Sequence, residues 1–288
     1  MRGRKMTRLL FLIIMLIGSR AFAQLDLSGE IFNLRFHEEG WEEEIGDYAG
    51  VPVNEAARLR ADTWIPSLLT IPEHQCKLHG ADRVDNFGGM RIWKEVDLAT
   101  QEFTAYHVLI QWMLMHRTIY MDGRPHPPEY APRTFMGFST GAWDGNSLRF
   151  RTTHLKESWL RRNGLVRSEK AELTERMIRH EDFLIWVFMI DDPVYLDEPY
   201  IRSRQAAYRP QQGPFPVFPC ETVDIVDRKQ GDIPHYLPGT NPDLVQYGER
   251  YGIPQEAARG GPETLYPEYM MTLDKLWARD ARAQTRGR

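Results

Sequence analysis

Four histidines and four arginines are spread along the middle of the chain: His107, His126, His154 and His180, with Arg117, Arg124, Arg161 and Arg162. Imidazoles take up and release protons near neutral pH, and guanidinium forks grip carboxylates or phosphates through paired hydrogen bonds. On a period of two, His154 falls on the strand face of Leu148 and Phe150, and His107 on that of Phe103 and Leu109. Both rings are therefore expected to point into one enclosed interior. A polar spot among apolar walls is the usual form of a small-ligand site. Taken singly, each histidine reads first as a core residue with both ring nitrogens satisfied. Arg161-Arg162-Asn163-Gly164 falls between strands, at a barrel mouth, where it would hold an anion or pair with the abundant surface acids. The candidate ligand-binding residues are thus His107, His126, His154, Arg161, Arg162 and His180.

Other chemistry is weaker. Gly137-Phe-Ser-Thr-Gly141 has the spacing of a nucleophile elbow, which needs a strand-to-helix turn, but Ser139 sits within a strand that leads into a hairpin. Glycines that ease strand curvature explain the run better. His74, Cys76 and His79 could ligate a soft metal, but no fourth ligand lies nearby, so no metal or cofactor is expected. Asp191 and Asp192 are adjacent and point to opposite strand faces, which suits a strand cap more than an acid/base pair.

The elements that must position these residues are strands. Between Gly88 and Tyr208 lie eight strand-length runs separated by turn signals: Met90–Val96, Glu102–Ile110, Arg117–Met121, Met136–Trp143, Asn146–His154, Ala171–His180, Phe183–Ile190 and Tyr200–Tyr208. Asp144-Gly145 is the strongest hairpin turn among them. Another short strand is read within Asp26–Arg35, and Val53–Asp62 reads as a helix. Sequence neighbours joined by short turns pair with each other. The expected fold is mainly β, an antiparallel up-and-down meander forming a barrel or strongly curved sheet, with short helices in the N- and C-terminal segments. No crossover helices separate the strands, which excludes Rossmann and TIM architectures.

Several motifs in this ladder are distinctive: Tyr120-Met-Asp-Gly-Arg-Pro-His-Pro-Pro-Glu-Tyr130, Gly137-Phe-Ser-Thr-Gly-Ala-Trp-Asp-Gly145, Thr152-Thr-His-Leu-Lys156, Arg161-Arg-Asn-Gly164 and Asp191-Asp-Pro-Val-Tyr195. Together they resemble a family of exported bacterial proteins of unassigned function. The strand ladder is similar, at the level of fold, to lipocalin-like barrels. Lipocalins often carry Gly-x-Trp on the first strand, whereas Gly29-Glu30-Ile31 lacks the Trp. The likeness implies location and fold, and it brings no catalytic residues with it.

Location is also written at the N-terminus. A basic start (Arg2 to Arg8), the ten-residue apolar run Leu9–Gly18 and the small-x-small triplet Ala21-Phe22-Ala23 form a three-part export signal over residues 1–23. Ten residues span about 15 Å of a hydrocarbon core roughly 30 Å thick, too little for a membrane span. The protein is expected in the periplasm or secreted, with no membrane span after cleavage. In an oxidising compartment Cys76 and Cys220 are expected to form a disulfide, worth on the order of 4–5 kcal/mol for a loop of about 145 residues.

Charge narrows the partners. The signal holds five basic residues and no acid, so the rest of the chain sets 31 basic residues against 40 acidic ones, near −9. That balance disfavours nucleic acid, whose phosphates need a basic face. The expected organisation is a signal peptide (1–23), a segment with the first strand and a helix packed on the barrel (24–87), an antiparallel β core (88–210), and a Pro-rich, helical wrap (211–288). The oligomeric state is not readable from the sequence. Three functions fit: a carrier of a small organic ligand in a barrel cavity, an enzyme with His107 or His154 as general base, and a structural or partner-binding envelope protein with a packed barrel.

Overall fold

Strand-length runs joined by tight turns leave sequence neighbours little choice of partner. The computed structural model describes residues 26–33, 44–65, 75–86, 89–209, 215, 218–221, 229, 231 and 235–278. Residues 1–23, read above as an export signal, lie outside these residues, as does His74. The strands are β1 (Gly29–Asn33), β2 (Gly89–Val96), β3 (Phe103–Ile110), β4 (His116–Tyr120), β5 (Phe138–Asp144), β6 (Ser147–Thr153), β7 (Ser158–Trp159), β8 (Val166–Arg167), β9 (Glu172–His180), β10 (Phe183–Asp191) and β11 (Tyr200–Tyr208). All but β7 and β8 close into one barrel in the order β1-β11-β10-β9-β6-β5-β4-β3-β2. The mainly β, barrel-forming class read from the sequence is the one observed.

The ring departs from a plain meander in two places. Strands β4 and β5 run parallel, with Ile119 opposite Ser139 and Tyr120 opposite Thr140. The connection between them, residues 121–137, carries Pro125, Pro127, Pro128 and Pro132, which withhold N–H donors and cannot continue a ladder. The chain therefore returns along the outside before β5 begins. Strands β7 and β8 form a separate two-stranded sheet, and β6 pairs past them with β9.

Alternation sorts the barrel's faces. Leu184, Trp186, Phe188 and Ile190 of β10 are buried at 0–1% exposure, and the first three interlock with Met177 of β9, Phe150 of β6 and Tyr106 and Val108 of β3 in one interior cluster. In β3 the inner face is Tyr106, Val108 and Ile110, which puts His107 and Leu109 on the outer face. This corrects the expected register by one residue. Phe103 still packs against the interior because the register of β2 and β3 shifts at Glu95/Val96. Leu27 and Tyr208 cover one end, where the Tyr208 hydroxyl donates to the Leu27 carbonyl at 3.0 Å.

A second buried cluster joins Tyr48, Val51, Val53, Ala57 and Ala61 to Leu160, Leu165 and Leu244, and it includes Leu173 of β9 and Ile190 of β10. The segments outside the barrel thus pack across its other end. Helix α1 (Glu55–Asp62) supplies part of this layer. It starts where Asn54 accepts the Ala57 N–H at 3.1 Å and its two buried alanines face inward. The disulfide between Cys76 and Cys220 ties the layer down, with Cα atoms 5.6 Å apart, and Cys220 packs against the interior cluster.

Candidate functional site

The barrel interior holds a saturated polar network. Arg117 of β4, 1% exposed, makes a forked ion pair with Glu175 of β9. Its remaining donors reach Ser139, Thr152 and the Ala81 carbonyl, and Trp186 Nε1 donates to Glu175 at 3.1 Å. Burial is the largest effect and leaves the Glu175 carboxyl above the usual carboxylate range, although Arg117, Thr152 and Trp186 pull it down. Both carboxylate oxygens accept from N–H or O–H donors. Ser139, the central residue of the Gly-x-Ser-x-Gly run, is spent on this network.

The candidate residues from the sequence do not converge on one site. His107 lies on the outer face, stacked with Trp93 and His116 at ring centroids 5.1 Å away and bonded through Nε2 to Glu95. His180 stands exposed at the β9–β10 turn. Arg161 donates to the Asp47 carbonyl and pairs with its carboxylate at 3.5 Å, and Arg162 follows on the same loop. His154 does not enter the barrel either. β6 ends at Thr153, and His154 takes a left-handed backbone (φ 57°) that breaks the alternation. The expected shared interior of His107 and His154 is therefore not formed.

The structure does bring His126 and His154 together. His154 Nε2 lies 2.9 Å from the Pro128 carbonyl, which can only accept, so this nitrogen carries the proton. A neutral His154 then accepts at Nδ1 from the Thr153 hydroxyl at 2.8 Å. Thr153 in turn accepts from His126 Nδ1 at 2.7 Å, and His126 Nε2 accepts from Thr140 at 2.7 Å. Every ring nitrogen is engaged. The chain pins the 121–137 crossover to the outer wall of β5 and β6, and it joins three of the motifs singled out in the sequence.

An open site lies elsewhere, outside the barrel wall. A cleft of about 580 Å³ opens between the end of α1, the β7–β8 sheet and the segment that follows the disulfide cysteine. Arg60, Thr63 and Trp64 form one wall, Ser158, Trp159, Gly164 and Val166 another, and Gln75, Lys77 and Leu78 a third. Phe135, Lys156, Glu157 and His235 complete the lining. Each piece has a local reason to be there. Gly164 sits at φ +99°, where a Cβ would come within 2.8 Å of Trp64 Cβ, so only glycine lets the loop touch α1. That approach brings Trp64 and Trp159 edge to face at 5.1 Å. Gly80 donates to Ser158 at 2.8 Å, Lys156 donates its N–H to the Thr134 carbonyl, and Tyr236 donates to the Thr63 carbonyl, which sets His235 beside Trp64.

The cleft's polar groups are unevenly matched. Arg60 is paired with Glu157 and bonded to the Tyr195 hydroxyl. Lys156 Nζ lies over the Phe135 ring at 5.3 Å, and neither it nor Lys77 has a carboxylate partner among the described residues. The Trp64 indole N–H is buried and has no acceptor among the described residues. Sequence reading missed this site. Its one legible trace was Arg161-Arg-Asn-Gly164, taken as a barrel mouth. Comparison of the sequence with protein-family models and with curated proteins gives no match, and comparison with solved structures gives none, which leaves the cleft's own geometry as the ground for function.

Proposed function

We propose that the protein is exported and binds a small organic ligand, and that it does so in the outer cleft and not inside the barrel. The observation that carries this is the cleft itself: about 580 Å³, with Trp64, Trp159 and Phe135 in its walls and a largely polar remainder that includes Arg60, Lys77, Lys156, Glu157 and His235. Sites for small molecules fall in the range of about 300–1,000 Å³ and combine aromatic surface with polar groups that fix orientation. The barrel interior, by contrast, is filled by Trp186, Phe150, Phe188, Tyr106 and the Arg117–Glu175 pair. Export is supported by the three-part N-terminal sequence and by a disulfide of the kind that persists in oxidising compartments. General-base chemistry by His107 or His154 gains no support, since the ring nitrogens of both are bonded to protein groups.

Native mass spectrometry of the protein purified from the periplasm of its own host tests the proposal. A retained small molecule is expected, and Trp159→Ala is expected to lose it while the far-ultraviolet circular dichroism stays unchanged. Retention that survives both Trp64→Ala and Trp159→Ala would place the ligand elsewhere. A partner-binding role is the second reading, favoured by the exposed Leu265, Tyr266, Met270, Met271 and Trp277 near the C-terminus.

A further inference from the structure

We infer that the cleft's ligand is an organic anion, a carboxylate or phosphate carried on a flat or apolar ring. The inference rests on reading the cleft as the binding site and names what enters it. Elsewhere on this acid-rich chain many arginines pair with carboxylates: Arg91 with Glu30, Arg151 with Glu172 at 2.6 Å and Arg176 with Asp144 at 2.8 Å. In the cleft the cations outnumber the carboxylates. It is lined by Arg60, Lys77 and Lys156 against a single carboxylate, Glu157, which Arg60 already neutralises. Two ammonium groups remain without a carboxylate among the described residues.

The remaining donors point to the same chemistry. Trp64, which lines the cleft, carries an indole N–H that is buried and has no acceptor among the described residues. His235 offers a further ring nitrogen at the same wall. The apolar share of the lining is Trp64, Trp159 and Phe135 with Leu78 and Val166, and the edge-to-face pairing of Trp64 and Trp159 at 5.1 Å provides ring surface for stacking. Lys77 and Lys156 are exposed, so water screens them while the cleft is empty. A cation would be repelled by the net positive lining and a neutral ligand would gain nothing from it, whereas an anion bearing a ring would use the positive lining and the aromatic walls together.

Three probes of one shape separate the possibilities: 2-naphthoate, 2-naphthyl phosphate and the neutral 2-naphthalenemethanol, titrated against the full chain by tryptophan fluorescence. At least one anion is expected to bind about tenfold or more tightly than the alcohol, as charge-assisted hydrogen bonds outweigh neutral ones, and the stronger of the two identifies carboxylate or phosphate as the preferred group. Lys77→Ala and Lys156→Ala should each weaken the anion and leave the alcohol unchanged, and rising salt should do the same. If all three probes bind equally and the lysine variants change nothing, the anion inference fails while the cleft stands as a binding site. If none binds and Trp159→Ala loses no retained ligand, the cleft reading fails and this inference with it.

Discussion

Inside the barrel, Arg117 bonds through all three of its guanidinium nitrogens, and Glu175, Ser139, Thr152 and Trp186 close the circle. In the outer layer a second buried pair, Arg167 with Asp82 at 2.7 Å, is built from the same residue types but finished differently. Arg167 Nε and Nη1 are bonded to Asp82 and to the Lys156 carbonyl, whereas Nη2 is buried without a partner among the described residues. The Trp64 indole, a short way along the same layer, is in the same condition. Burial would raise the Asp82 carboxyl, but the charges of Arg167 and Arg202 outweigh it and hold it below the usual carboxylate range. A saturated network fixes one packing and offers nothing to a ligand. Among the described residues, the outer layer holds more of such leftover donors than the barrel, where the Trp143 indole of β5 is one, and a buried unsatisfied donor is costly until something accepts from it.

The disulfide is where the two regions meet, and breaking it should give the largest effect. Cys76 precedes Lys77 and Leu78 of the cleft, while Cys220 packs on the barrel's interior cluster. Closing 144 residues between them is worth on the order of 4–5 kcal/mol in the chain-entropy description. Cys76→Ser/Cys220→Ser should therefore lower the midpoint of chemical unfolding, read by circular dichroism. It should also cost ligand retention more than β content, because the barrel's ladder does not need the bridge. Equal loss of both would mean that barrel and outer layer are one cooperative unit.

Next in size is the interior pair. Arg117→Met strands Glu175 among apolar side chains, which costs about 3–5 kcal/mol. The double variant Arg117→Met/Glu175→Leu removes both charges and should regain most of that loss, because an apolar replacement of a buried pair is often neutral. Urea unfolding of the wild type, both single variants and the double variant gives the coupling. A double variant no better than Arg117→Met would show that Ser139, Thr152 and Trp186, left without partners, carry the cost instead.

These two regions were unequally legible. Barrel strands such as Phe183–Asp191 and Tyr200–Tyr208 could be read from the sequence because alternation and turns are local signals. The face of β3 was misread because both of its faces are apolar: Phe103 and Leu109 compete with Tyr106, Val108 and Ile110, and alternation alone does not choose between them. Strands β7 and β8, at two residues each, fall below any readable period. The parallel β4–β5 pair follows from where a proline-rich connection lies in space, which no window along the chain reports. The cleft was hidden for the same reason. Its walls come from α1, from the segment after Cys76, from residues 135 and 156–166 and from His235, and nothing in their spacing links them before the chain folds.

The smallest effect tests how the crossover is held to the barrel. His126 is bonded on both ring nitrogens, to Thr140 and Thr153. Burial lowers its pKa below the ordinary 6.5, the neighbouring Arg151 and His154 add to the lowering, and Glu172 opposes it. The unfolded chain therefore binds a proton at higher pH than the folded one does, so protonation favours unfolding. The stability that depends on a neutral His126 is complete above pH 6.5 and declines as the pH falls from there towards the lowered folded value. His116 of β4, depressed by burial and by His107, acts with the same sign. Urea midpoints measured in a His116→Gln background isolate the crossover: they should fall between pH 7 and pH 5.5, and His126→Gln should flatten that fall. Because the group is only partly buried, the slope should be shallow, and the cleft's ligand affinity should be unchanged by the substitution. A midpoint that rises on acidification in this background would reverse the sign and show that His126 gains a partner when charged, with Thr140 and Thr153 both turned to accept from it.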